Sequence, residues 1–219
     1  MIPLGDASRR PRHFPVMTAL IILVNAIFFY LELSYGNRFI MQWAMVPAHI
    51  AARRDLVTIF TAMFMHAGWL HILGNMLFFY VFAPQIEDVM GPIRFLIFYL
   101  LGGIAATFAQ VAIAPSSTIP NLGASGAIAA VMGAFMITYP RDRIRTVLLL
   151  GWFIDITMIP AALLVGLWFL LQLFSQLGAM AQLQSGGVAY MAHVGGFLFG
   201  MLLGRFFEIG RLRRAQRLD

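Results

Sequence analysis

A serine flanked by glycines is where this chain concentrates its chemistry. The stretch Pro120-Asn121-Leu122-Gly123-Ala124-Ser125-Gly126-Ala127 carries one hydroxyl at the point where a polar connection turns into an apolar run. With little side-chain bulk on either side, a reacting carbonyl can approach Ser125 closely. A hydroxyl becomes a useful nucleophile only when a base takes its proton, and histidine suits that task near neutral pH. His193 is the base this pattern offers. The oxygen of an attacked carbonyl needs hydrogen-bond donors as it gains charge, and His71 and Asn75, four residues apart, share one face of a helix. The backbone N–H of Ser125, at a helix N-terminus, is a further donor.

A second reading competes with this one, because Gly-Ala-Ser-Gly also occurs wherever small residues let membrane helices pack tightly. The combination of Ser125 with His71, Asn75 and His193 favours the chemical reading.

Composition indicates how these residues are carried. The chain has 219 residues, 61% hydrophobic and 11% charged, with a mean hydropathy of +0.83. Soluble domains are about a quarter charged. The pattern predicts an integral membrane protein, an all-α bundle in a lipid bilayer. All fifteen basic residues are arginine and they sit between and beyond the apolar runs, which points to membrane orientation and away from nucleic acid. Cysteine is absent, which excludes disulfides and thiolate chemistry.

Six spans are expected, at about 16–34, 60 or 68 to 83, 93–113, 125–139, 160–177 and 188–208. The first reads as a retained signal-anchor, and the second stops at Pro84. Residues 35–58 read as an interfacial segment and 144–159 as a partly embedded linker. The chain divides into an N-terminal segment 1–15, a membrane domain 16–208 and a basic tail 209–219. Arg9, Arg10 and Arg12, Arg94, Arg141, Arg143 and Arg145, and Arg211, Arg213, Arg214 and Arg217 all fall on one side. The positive-inside rule then places both termini in the cytoplasm, as for a protein of a prokaryotic inner membrane.

Counting about 1.5 Å per residue up from Tyr139, Arg205 and Pro84 puts Ser125, His193 and His71 about 21, 18 and 20 Å above that side. They share one layer, on the order of 10 Å below the outer edge of a core about 30 Å thick. Small residues recur at Ser125, Ala129 and Gly133, and again at Gly196, Gly200 and Gly204. Packing these stripes together, with Gly126 beside the serine, brings His193 to Ser125.

These residues resemble the rhomboid family of intramembrane serine proteases, in its bacterial six-helix form. The resemblance covers about residues 40–208. It rests on His66-x4-His71-x3-Asn75, Ile86-Glu87-Asp88-x2-Gly91, Gly123-Ala124-Ser125-Gly126-Ala127 and Ala192-His193-Val194-Gly195-Gly196 with its Gly-x-x-x-Gly continuation. It implies Ser125 as nucleophile, His193 as base, and His71 and Asn75 around the oxyanion, with transmembrane proteins as substrates and no cofactor. Two positions depart from the pattern. Trp43 is followed by Ala44 where an arginine is common, and Ala129 stands where some relatives stack an aromatic on the catalytic histidine. No acidic residue completes a triad, so the sequence leaves open what orients His193.

The other polar residues receive lesser roles. His66 is an outer donor or an interfacial structural residue, His49 is interfacial and His13 exposed. Glu32 and Asp155 are expected to snorkel or pair. A metal at His66, His71 and His193 is not expected, since no His-Glu-x-x-His motif occurs. Beside the protease, a non-cutting scaffold that binds membrane helices and a small transporter remain as alternatives, with no inverted repeat to favour the latter.

Overall fold

The computed structural model describes residues 1–150, 153–181 and 190–209. The expected loop before the last helix, in its 182–187 part, the expected start of that helix at 188–189, and the basic tail from 210 lie outside these. The described chain is mostly helical. Its long helices are α1 (Val16–Tyr35), α5 (Trp69–Met90), α6 (Pro92–Ile113), α7 (Ser125–Thr138), α8 (Ala161–Ala181) and α9 (Tyr190–Phe207). Between α1 and α5 come three short helices, α2 (Asn37–Trp43), α3 (Pro47–Ala51) and α4 (Thr58–Thr61), then a 3-10 turn at Ala62–Phe64. Among the described residues four helices, α1, α5, α6 and α9, are long and apolar enough to cross a membrane. The protein is an integral membrane protein. α7 is shorter, at 14 residues or about 21 Å, and does not match a core about 30 Å thick.

The short helix is also the central one. Every residue from Gly126 to Phe135 is buried, on all sides of α7. A helix apolar all round belongs in a core, and α5, α6, α8 and α9 surround it. The closest approach is to α9. A methyl added at Gly196 would overlap the Gly126 carbonyl, one at Gly200 the Ala130 carbonyl, and one at Gly133 the Phe197 carbonyl. The contact stripe on α7 is therefore Gly126, Ala130 and Gly133, not the expected Ser125, Ala129 and Gly133. Each residue turns a helix by about 100°, so this shift leaves Ser125 at the rim of the contact, where its hydroxyl is free to react.

Two expectations about the connections are corrected. The second long helix does not stop at Pro84 but runs through it to Met90. A proline forfeits one helical donor, yet its φ fits the helix, and membrane helices tolerate the loss. His71 thus stands about 28 Å above the end of its helix, and the helix-end count does not place it level with Ser125. Residues 144–150 and 153–159 are strands where a linker was expected. They form most of β2 (Arg143–Leu150) and β3 (Phe153–Pro160), which with β1 (Ile2–Asp6) make an antiparallel sheet in the order β1-β2-β3. Ile144 and Thr146 are fully buried on its inner face, and Asp155 is exposed.

The prolonged α5 has a purpose that explains the Glu87-Asp88-x2-Gly91 pattern. Glu87, buried on α5, accepts the backbone N–H groups of Met17 (2.8 Å) and Thr18 (2.7 Å) and the Thr18 hydroxyl (2.7 Å). A carboxylate from one helix caps the N-terminus of another. Asp88 likewise takes the backbone N–H of His13 at 3.3 Å, and Gly91, at φ 73°, turns the chain into α6. Glu87→Ala should destabilise the protein by about 3 kcal/mol, since it removes charged hydrogen bonds and orphans two buried donors. Thermal unfolding in detergent measures this, and the isosteric Glu87→Gln should recover part of the loss.

Candidate active site

Ser125 is the first residue of α7, and the chain before it is held from two sides. Met45 and Asn121 exchange backbone hydrogen bonds at 3.0 and 2.7 Å, and the Gly123 N–H donates to the Ala62 carbonyl at 2.9 Å. Gly123 has φ 138°, a conformation that favours glycine. These bonds bring an irregular, polar connection into the bundle and start α7 there. The helix N-terminus, with its unpaired N–H groups, is thereby directed at the half-buried serine hydroxyl.

His193 comes from the first turn of α9. Its Nε2 lies 2.6 Å from Ser125 Oγ, hydrogen-bond distance for a base about to accept the hydroxyl proton. Its Nδ1 lies 2.7 Å from Gln172 Oε1 of α8. The Trp168 indole packs beside the imidazole, centroids 5.8 Å apart and planes tilted by 39°. Ala129 is fully buried in α7, so Trp168 supplies the aromatic neighbour from another helix.

The donor side is built by α5. The Ala67 N–H donates to His71 Nδ1 at 3.3 Å, which makes Nδ1 the acceptor and leaves the ring proton on Nε2. A side chain at Gly123 would start 3.0 Å from that Nε2 and 3.5 Å from Ser125 Oγ. Glycine at 123 keeps open the gap between a donor and the nucleophile. One turn along α5, Asn75 is buried and its Nδ2 has no hydrogen-bond partner among the described residues. A buried amide donor without a partner is costly unless a ligand or a transient charge uses it. A cavity of about 50 Å³ opens beside Ser125, lined among others by Met63, Gly103, Ala106, Gly126 and Ala192.

His66 sits outside this group. Its backbone N–H donates to both oxygens of the buried Glu32, at 2.9 and 3.1 Å, and its ring meets that of His71 edge-on at 5.1 Å. Burial, with His71 as a second cause, pushes the His66 imidazole down to about 3, so it is neutral at physiological pH. Glu32 is paired inside the bundle and does not snorkel. His49 pairs with Asp55 at 2.9 Å, and His13 is exposed beside Asp88. Among the described residues no group of three His, Asp or Glu side chains is arranged to hold a metal ion.

The Rhomboid domain profile matches residues 53–208, which is most of the chain and includes His71, Asn75, Ser125, Gln172 and His193. The chain belongs to the rhomboid family. It is 28% identical over 149 residues to the Bacillus subtilis (strain 168) protein named "Putative rhomboid protease YdcA", covering 61% of this chain and 68% of that one. It is 32% identical over 108 residues to Rhomboid-like protein 11, chloroplastic, of Arabidopsis thaliana, covering 47% of this chain and 37% of that one. With Rhomboid protein 1, mitochondrial, of Saccharomyces cerevisiae (strain ATCC 204508 / S288c) it shares 26% identity over 188 residues, 80% of this chain and 50% of that one. The chain thus spans half or less of the two organellar relatives.

Of the residues singled out from the rhomboid pattern, the fold brings Ser125 and His193 into hydrogen-bond contact and sets His71 across Gly123 from the serine. Asn75 follows His71 by one helical turn. Gly126, Gly133, Gly196 and Gly200 lie in the α7–α9 contact. Gln172 was not anticipated, nor was the place of Trp168 beside His193. Nothing in their local sequence separates them from other residues of an apolar helix, and only the packing of α8 on α9 reveals them.

Proposed function

We propose that this rhomboid chain is an intramembrane serine endopeptidase that cuts membrane-anchored proteins within or next to their transmembrane helix. The observation that carries the proposal is the 2.6 Å contact between Ser125 Oγ and His193 Nε2 at a helix N-terminus. His193 takes the Ser125 proton as Oγ attacks the scissile carbonyl carbon. The oxyanion so formed accepts hydrogen bonds from Asn75 Nδ2, His71 Nε2 and the Ser125 N–H. The C–N bond breaks, the leaving amine takes the proton from His193, and an ester to Ser125 remains. Water then attacks that ester, giving its proton to His193, and the Ser125 hydroxyl is restored.

The substrate class follows from the site's surroundings. A helix hides its carbonyls in hydrogen bonds, and unwinding in lipid exposes backbone groups at several kcal/mol each. Substrates therefore carry Gly, Pro or polar residues near the cut, and the small cavity beside Ser125 suits a small side chain just before it. The apolar runs support six membrane passages within 16–208, and the arginine distribution supports segments 1–15 and 209–219 lying in the cytoplasm, as in a prokaryotic cell. No nucleic acid, metal or cofactor enters this reading.

Asn75→Ala should lower kcat by about 10²- to 10³-fold with a smaller change in KM, the loss expected for one oxyanion donor. His71→Ala should be similar or milder. Full turnover in both variants would remove α5 from the oxyanion site. The proposal itself is tested by a fluorophosphonate probe on the purified, folded protein. Labelling that vanishes in Ser125→Ala is expected, and an unreactive wild type would favour a non-cutting scaffold.

A further inference from the structure

Both ring nitrogens of His193 are engaged, and the partner of each is different in kind. Ser125 Oγ can donate or accept, whereas Gln172 Oε1 can only accept. With Oε1 at 2.7 Å, the neutral ring carries its proton on Nδ1 and turns the Nε2 lone pair to Ser125. The other tautomer would oppose two acceptors at Gln172 and leave Nε2–H facing the serine, with nowhere for the serine proton to go. Soluble triads obtain this orientation from a carboxylate. Here a neutral amide in a half-buried position supplies it without placing a charge in the membrane.

The arrangement is more than one chance contact. Trp168 and Gln172 are four residues apart on α8, share one face, and both meet the same imidazole. That face is seated on α9 by Phe169, stacked on Phe197 at 4.3 Å between centroids and 19° between planes. We propose that Gln172 is the positioning residue for His193, fixing its productive tautomer through the Nδ1–H···Oε1 hydrogen bond. The proposal rests on the reading of Ser125 as nucleophile and His193 as base, and answers what replaces the missing acidic member.

The test uses the full chain in lipid nanodiscs with Gln172→Leu, which keeps bulk and removes the acceptor, and Gln172→Glu, which keeps an acceptor. Two readouts are taken: kcat and KM on a fluorogenic transmembrane substrate, and ¹⁵N spectra of labelled histidine, with His193→Ala identifying the His193 signals. Gln172→Leu should lower kcat by about 10- to 100-fold, less than loss of a triad carboxylate, with KM within about twofold. It should also lose the Nδ1–H signature of His193. Gln172→Glu should keep that signature and most of kcat. Wild-type kcat and an unchanged tautomer in Gln172→Leu would overturn the proposal, as would equal impairment of both variants with the tautomer intact. If wild type fails to label with fluorophosphonate, the protease reading falls, while the ¹⁵N spectrum of the resting protein still decides whether Gln172 sets the ring.

Discussion

Ser125→Ala and His193→Ala should each bring proteolysis of a transmembrane substrate to background, a loss on the order of 10³-fold or more, and the double variant should be no worse than either. Nucleophile and base act as one unit: without Nε2 the hydroxyl stays protonated, and without the hydroxyl the base has nothing to activate. Additive losses would mean that each residue acts alone, which the 2.6 Å contact argues against. Ser125→Ala removes one rim hydrogen bond and should leave the unfolding midpoint within a few degrees. His193→Ala also strips Gln172 and Trp168 of their partner, so its midpoint should fall further. Fragment appearance on gels with the folded fraction measured in parallel separates chemistry from stability. Appreciable cleavage by folded Ser125→Ala would end the case for this serine.

The residues in that prediction were legible from sequence because their signals are local or helical. A serine between glycines marks a close approach, and His71 and Asn75 at i and i+4 mark a shared face whatever the tertiary fold. Long apolar runs likewise announced α1, α6 and the end of α9 to within a residue. What stayed hidden depends on partners distant in sequence. A stop at Pro84 is sound for an isolated helix, but Glu87 and Asp88 continue it because α1 and His13 need their carboxylates. The strands β2 and β3 did carry a signal, since Ile144, Thr146 and Ile154, Ile156 recur at period two with β-branched side chains. Mean hydropathy masked that alternation. Gln172 had none, because a hydrogen bond between α8 and α9 leaves no trace in either helix's own spacing.

Gly196→Ala should inactivate the protein almost as completely as Ser125→Ala, although residue 196 touches no substrate. A methyl at 196 falls on the Gly126 carbonyl, which is backbone one residue from the serine and cannot rotate away as a side chain would. Helices α7 and α9 must then separate by an ångström or more. His193 and Gly196 lie on the same face of α9, three residues apart, so the histidine moves with the displaced face. A 1 Å misplacement of a catalytic group can cost about 10²-fold, and the 2.6 Å contact has no slack to absorb it. Gly200→Ala meets the Ala130 carbonyl in the same way but one turn further from the chemistry, so it should cost stability more than rate. The contrast is the test: kcat and unfolding midpoint are measured for both variants, with Gly166→Ala, whose methyl meets open space, as control. Wild-type kcat in Gly196→Ala would show that the α7–α9 approach does not set the distance between Ser125 and His193.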